Sequence, residues 1–243
     1  MTIAWRIGKF VATAGLTGAL LVAGETHAEL RLSAYSGAAE TLDTDVEFEP
    51  DGGTALSFED LSWDGQSFKS PIYYGFRLSY WFDRAPSWGL GLDFTHAKMI
   101  VDTDETVAVN GTRAGVNVTG RERLSRTFSK LELSHGHNLL TLNGLYRFSP
   151  ADRFEAYVGL GIGAAVPHVE TETDGIETSE YQLAGPAAQG LLGASADVVG
   201  HLSAFIEYKL SYADIDADLQ GGGSLHVEPW TNHFIFGLSL DFF

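Results

Sequence analysis

Ile72-Tyr-Tyr-Gly-Phe-Arg-Leu-Ser-Tyr-Trp-Phe82 alternates with a period of two. Ile72, Tyr74, Phe76, Leu78, Tyr80 and Phe82 share one phase, while Arg77 and Ser79 share the other. Successive side chains of a strand point to opposite faces, so this stretch reads as a strand with one apolar and one polar face. The pattern recurs. Leu140, Leu142, Tyr146 and Phe148 oppose Thr141, Asn143 and Arg147; Ala204, Ile206, Tyr208 and Leu210 oppose Glu207 and Lys209. Phe234, Phe236, Leu238, Leu240 and Phe242 oppose His233 and Asp241.

Working outward, eight such segments lie between turn signals, at 29–37, 72–82, 88–101, 137–148, 154–169, 181–198, 202–213 and 225–243. No segment after residue 28 reaches 18 continuous apolar residues, which excludes helical membrane spans. Eight strands with an apolar and a charged phase predict an all-β fold, a closed eight-stranded antiparallel transmembrane β-barrel. A charge facing lipid costs several kcal/mol, so Arg77, Asp93, Asn143, Arg147, Glu207, Lys209 and Asp241 belong inside. Side chains just fill the lumen of an eight-stranded barrel, and this set can neutralise itself, so we expect a plugged barrel and no water-filled pore.

The connections alternate in length. Short turns lie at 83–87, 149–153 and near Gly200, and longer acidic stretches at 38–71 and 102–136, with shorter ones at 171–180 and 214–224. Short turns face the periplasm and long loops face outward in such barrels. The stretch at 116–128 has the pattern of an extra hairpin. Trp81, Trp88 and Tyr146 stand near strand ends, where an interfacial aromatic girdle is expected. The terminal Phe243 falls out of the apolar phase that Phe242 keeps.

Residues 1–28 read as a cleaved export signal: Arg6 and Lys9, an apolar run over 10–23, then Thr26-His27-Ala28 with small residues where a peptidase reads. The domain plan is therefore a signal over 1–28 and one barrel over 29–243, located in a bacterial outer membrane. There is no cysteine, so disulfide and thiolate chemistry are excluded. With 32 acidic against 15 basic residues and a net charge of −17, the chain is no nucleic-acid binder. A mean hydropathy near zero fits a barrel with a polar lumen.

Familiar catalytic signatures are missing: no Gly-rich phosphate loop, no His-Glu-x-x-His and no Gly-x-Ser-x-Gly. Gly159-x-Gly161-x-Gly163 places its glycines on one face of a strand, making room for bulky lumen neighbours. The Asp214-x-Asp216-x-Asp218 run lacks the glycine and distal glutamate of a calcium loop and reads as a solvated loop. The histidines carry more. The topology sends His96, His135, His137, His168 and His226 to the outer mouth, near Glu170 and the three aspartates, and turns His233 into the lumen. Imidazole with carboxylate suits a transition metal or acid–base chemistry; the alternative is histidine simply tolerated at a polar rim. His96 shares the phase of Leu92 and Phe94, so it lies above the hydrocarbon zone or a bulge turns it inward.

Several stretches in order resemble the lipid A oxidase-like barrels, a family of small outer-membrane proteins of the opacity and OmpA type. They are Ser70-Pro-Ile-Tyr-Tyr-Gly-Phe-Arg77, Leu92-Asp-Phe-Thr-His-Ala-Lys98, Asn138-Leu-Leu-Thr-Leu-Asn143, Pro167-His-Val-Glu170, Tyr181-Gln-Leu-Ala-Gly-Pro186, Ala204-Phe-Ile-Glu-Tyr-Lys209 and Asp218-Leu-Gln-Gly-Gly-Gly-Ser-Leu225. The resemblance covers the chain from about Ser67 onward and leaves the first loop uncovered. It implies oxidation of the proximal glucosamine of lipid A to 2-aminogluconate by molecular oxygen. Lipopolysaccharide is then the partner, and the barrel works as a monomer. Many relatives are known only as surface-antigen barrels, so a non-enzymatic antigen or adhesin is the rival expectation. The catalytic candidates are His96, His168 and Glu170, and those for a divalent transition metal are His96, His135, His137 and His168. Lys98 is the candidate for a lipid phosphate.

Overall fold

The computed structural model describes residues 29–148 and 153–242. The expected export signal, the turn at 149–152 and Phe243 lie outside them. In chain order the strands are β1 (Glu29–Thr41), β2 (Thr44–Pro50), β3 (Ala55–Leu61), β4 (Tyr74–Phe82), β5 (Ala85–Ala97), β6 (Thr106–Arg113), β7 (Val116–Arg123), β8 (Lys130–Glu132), β9 (His137–Phe148), β10 (Phe154–Ala165), β11 (His168–Thr173), β12 (Ile176–Tyr181), β13 (Gly185–Val199), β14 (Leu202–Ala213), β15 (Ile215–Asp218), β16 (Gly223–Val227) and β17 (Trp230–Phe242).

Eight of them close a barrel in the order β1-β17-β14-β13-β10-β9-β5-β4, with β4 pairing back to β1. All the pairings are antiparallel. Closure satisfies every strand edge, which a bilayer interior demands. The outward phase is apolar and exposed, as at Phe76, Leu78, Leu142, Ile162, Ile206 and Phe236. Among the described residues no helix is long and apolar enough to cross a membrane. The span is made by strands, in the architecture of a bacterial outer-membrane barrel.

The inward phase holds the charges, as the alternation predicts. Arg77 donates two bonds of 2.7 Å to the two oxygens of Glu207 and one of 2.9 Å to Asp93. Lys209 donates to Asp93 at 2.8 Å and to Thr95 at 2.9 Å, and the Tyr35 and Tyr157 hydroxyls donate to Asp93 and Glu207. Two cations thus face two carboxylates. Nearer the short turns, Arg31 pairs with Asp241 and Glu155, and Arg147 with Glu29. A void of about 20 Å³ lies between these layers, room for about one water. The glycines of β10 serve this packing: a Cβ at Gly159 would meet Leu145 at 2.7 Å, and one at Gly161 would meet Asn143 at 2.0 Å.

Trp81 departs from the expected girdle. It is buried, in phase with Arg77, and the Arg147 guanidinium lies 4.3 Å over its ring. Trp88 and Tyr146 do make the girdle, exposed or half-exposed with ring centroids 4.8 Å apart.

The larger departure lies at the outer end. The long connections are folded: β15-β16-β2-β3-β6-β7 form a six-stranded sheet, and β12-β11-β8 a three-stranded one. Val46, Phe48, Phe58, Phe128, Leu131 and Val169 are among the residues of a shared core, with Phe48 and Phe128 centroids 4.7 Å apart. This core runs into the barrel top through Leu139, Ala165, Ala187 and Ala213. The expected hairpin at 116–128 is β7 followed by a single helical turn at Leu124–Arg126. Asp216 and Asp218 lie on strand β15 and not in a loop.

Arg77→Ala leaves two buried carboxylates short of their partner, so urea unfolding of the refolded barrel in micelles should show a loss of about 3–5 kcal/mol. Arg121→Ala, exposed on β7, should change stability by no more than about 0.5 kcal/mol. Phe128→Ala should open the outer dome to protease while the barrel band keeps its folded migration; an unchanged digestion pattern would contradict a dome core built on that ring.

Candidate functional site

The sequence-predicted residues separate into different places. His135, His168 and Glu170 converge at the outer rim over β9 and β10. The local chain explains the meeting. Gly136 takes φ +137°, a conformation L side chains rarely adopt, and its carbonyl accepts the His168 amide at 2.8 Å. Asn138 likewise accepts the Val166 amide. The chain leading into β9 is thereby stitched to the start of β11. On β11, His168 and Glu170 are two residues apart and share a face.

The Glu170 carboxylate is buried, and one of its oxygens accepts from Ser134 at 3.3 Å and from the His168 ring at 3.1 Å, beside a close contact with His135 Nδ1. Its other oxygen pairs with the Lys130 ammonium. Burial works against the ionised form, but hydrogen bonds from Lys130 and His135 outweigh it and hold the carboxyl below the usual glutamate range. Burial also pulls on Lys130, and Glu170 outweighs it, raising that pKa. The two imidazole centroids lie 5.3 Å apart. Tyr181, paired with His168 across β11 and β12, stacks edge-on to it at 4.6 Å and donates its hydroxyl to the His135 carbonyl. The donor atoms of His135, His168 and Glu170 lie within 4.8 Å of one another. This arrangement can orient an imidazole, move a proton, or offer two nitrogens and an oxygen to a metal.

His96 does not join them. Its register with Tyr74 is regular, so no bulge turns it inward. The ring keeps the outward phase and is covered by stacking on Tyr74 at 4.8 Å and by Asn138, whose side-chain oxygen lies 2.8 Å from His96 Nδ1. His137 follows the inward phase of β9 and is 1% exposed, with neither ring nitrogen bonded to protein. Neither is among the donors that converge with His135, His168 and Glu170. Lys98 is buried, donates to the Lys69 carbonyl at 2.9 Å and has its pKa lowered by burial. His233 sits in the lumen as expected, bonded to Ser211 at 2.8 Å. His226 lies apart from the triad, beside Asp214 and Glu228.

Lys130, Ser134 and Tyr181 complete the site and were not legible in the sequence. Lys130 reaches Glu170 only because the three-residue strand β8 pairs with β11, and nothing in its local pattern announces that pairing.

No protein-family model matches this chain, and no curated protein matches it. Solved structures share the barrel outline at low identity. Neisserial surface protein A is 12% identical with a TM-score of 0.41, covering 88% of this chain and 97% of that one. The outer membrane protein OprG from Pseudomonas aeruginosa is 15% identical at 0.42, covering 88% and 95%. Ail, the attachment invasion locus protein of Yersinia pestis, is 13% identical at 0.36, in complex with the heparin analogue sucrose octasulfate, covering 88% and 99%. The fold stands on the strand pairing described above.

A carboxyl held low contributes stability above the ordinary carboxylate range and loses it as pH falls through its folded value. Intrinsic-rate-corrected amide exchange in β8, β11 and β12 should therefore lose protection as pH falls below the ordinary glutamate range. Glu170→Gln should flatten that dependence; a variant profile that still falls like the wild type would contradict the role given to this ion pair.

Proposed function

We propose that this chain is an outer-membrane enzyme that oxidises the proximal glucosamine of lipid A to a 2-aminogluconate unit with molecular oxygen. The observation that carries the reading is the convergence of His135, His168 and Glu170 at the outer rim. Leu183 is 77% exposed and lies between Tyr181, the partner of His168, and Gly185, the partner of Ala165. It extends the lipid-facing surface of Leu160 and Ile162 upward to the triad. His168 follows Ile162 by six residues, at most about 20 Å of extended chain. An outer-leaflet sugar within that reach of the lipid-facing band would meet these residues.

The chemistry balances on a free anomeric hydroxyl. Its O–H and C1–H bonds yield two protons and two electrons, and oxygen takes them up as hydrogen peroxide. Water then opens the resulting lactone to the carboxylate. His168, 15% exposed at its side chain and oriented by Glu170, accepts the hydroxyl proton. Glu170 stays ionised and supports the imidazolium that forms. Lys130 fixes the carboxylate from behind, and His135, mostly exposed, borders the sugar.

Were a divalent transition metal bound instead, His135, His168 and the Glu170 oxygen not facing Lys130 would hold it, and His168 would then serve as a ligand and not as the base. Such an ion would polarise the bound hydroxyl and give oxygen a route to electrons. The rival reading is a non-enzymatic surface antigen or adhesin. It is favoured by the outer dome, where β7 is an exposed edge strand able to pair with another chain.

Mass spectrometry of lipid A from cells with and without the gene separates the two. The enzyme reading expects a species one oxygen heavier whose amount follows gene dosage. His168→Ala or Glu170→Gln should lower conversion by roughly a hundredfold or more at equal barrel abundance. Lipid A of unchanged mass in expressing cells would sink the oxidase and leave the dome as the working surface.

A further inference from the structure

A second side-chain cluster stands over β14 and β17, on another part of the rim. His226 lies on β16, and the register sets a carboxylate directly opposite it on each side, Glu47 on β2 and Asp216 on β15. Residues opposite one another in a sheet share a face. Asp214, between β14 and β15, and Glu228, between β16 and β17, approach the same imidazole. Glu47, His226 and Glu228, together with Thr44, Asp45, Tyr212 and Trp230, line a cleft of about 520 Å³, and Asp214 and Asp216 reach His226 from beside it. No lysine or arginine lines it.

The spacing is informative. His226 Nδ1 stands 3.7 Å from Asp214 Oδ1, too far for a hydrogen bond. Two donors each about 2.1 Å from a shared ion lie roughly 3–4 Å apart. The donor atoms of Asp214, His226 and Glu228 all fall within 4.8 Å of one another. The Glu228 carboxylate is steadied by the Tyr212 hydroxyl. Glu170 has a lysine partner, whereas no lysine or arginine pairs with Asp214 or Glu228 among the described residues. Crowded carboxylates without a cation repel one another, and a divalent ion removes that repulsion.

We propose that Asp214, His226 and Glu228 form a binding site for a divalent transition-metal ion, with Glu47 and Asp216 supplying the surrounding negative field. One nitrogen with two carboxylate oxygens favours manganese or zinc over magnesium or calcium, whose sites are built from oxygen alone. The site does not depend on the oxidase reading, because none of its residues belongs to the His168 triad.

The test uses the refolded full barrel in detergent micelles free of lipopolysaccharide. Manganese or zinc is added after chelator removal, and calorimetric stoichiometry and melting temperature are measured. Wild type should bind one equivalent more than the Asp214→Asn/Glu228→Gln variant, and manganese should broaden the His226 ring-proton resonances in wild type alone. With chelator present the variant should melt no lower than wild type, since charge repulsion has been removed, and its melting shift on adding metal should be smaller than that of wild type. Affinity at this site should fall at least tenfold in the variant. Equal stoichiometry in the two proteins, or His226 signals that manganese leaves sharp, would overturn the site. Binding that appears only after lipopolysaccharide vesicles are added would assign the cation to lipid phosphates and likewise overturn a site built by protein.

Discussion

A bilayer interior offers no water to a backbone amide, and that constraint governs this molecule. A strand in lipid must give every N–H and C=O to another strand, so the eight spanning strands have to return on themselves. The pairing of β1 with both β17 and β4 is where the ring closes. Once it is closed, each residue has only two destinations, lipid or lumen. Phe76 and Arg77 are neighbours in sequence and opposites in surroundings for that reason alone.

The lumen follows from the same division. It receives arginine, lysine, aspartate and glutamate that lipid would reject, and burying them singly would be prohibitive. They are arranged in layers in which each ion meets a counter-ion or a hydroxyl: Arg77 with Glu207 and Asp93, Lys209 with Asp93 and Thr95. The dome core then packs onto the barrel mouth through Leu139, Ala165 and Ala213. With lumen and mouth both filled by side chains, the rim is where reactive groups can meet something from outside.

The strands of the barrel were legible because lipid imposes strict alternation, and β9 and β14 carry their bounds on the page of the sequence. The dome was less so. Val46 and Phe48, Leu56 and Phe58, and Val107 and Val109 alternate too, yet each run is short and set among acids, which reads as solvated loop until the partner sheet is seen. The rim histidines were grouped more broadly than the structure groups them, with His96 and His137 counted beside His135 and His168. Whether His137 turns inward while His135, two residues earlier, meets Glu170 is decided by Gly136 and by long-range pairing with β11, not by local pattern. Trp81 misled for a related reason: an aromatic near a strand end suggests a girdle, but its phase belongs to the lumen.

The barrel is a side-chain-filled scaffold whose two candidate sites lie at its outer rim, over β9 and β10 on one part and over β14 and β17 on another. The most direct test of that claim is electrical. The purified barrel inserted in a planar bilayer should show no discrete conductance steps at moderate voltage and neutral pH, because no continuous aqueous path crosses the Arg77 and Arg31 layers. Reproducible, long-lived openings of a single conductance would contradict the sealed lumen and return the molecule to the class of pores.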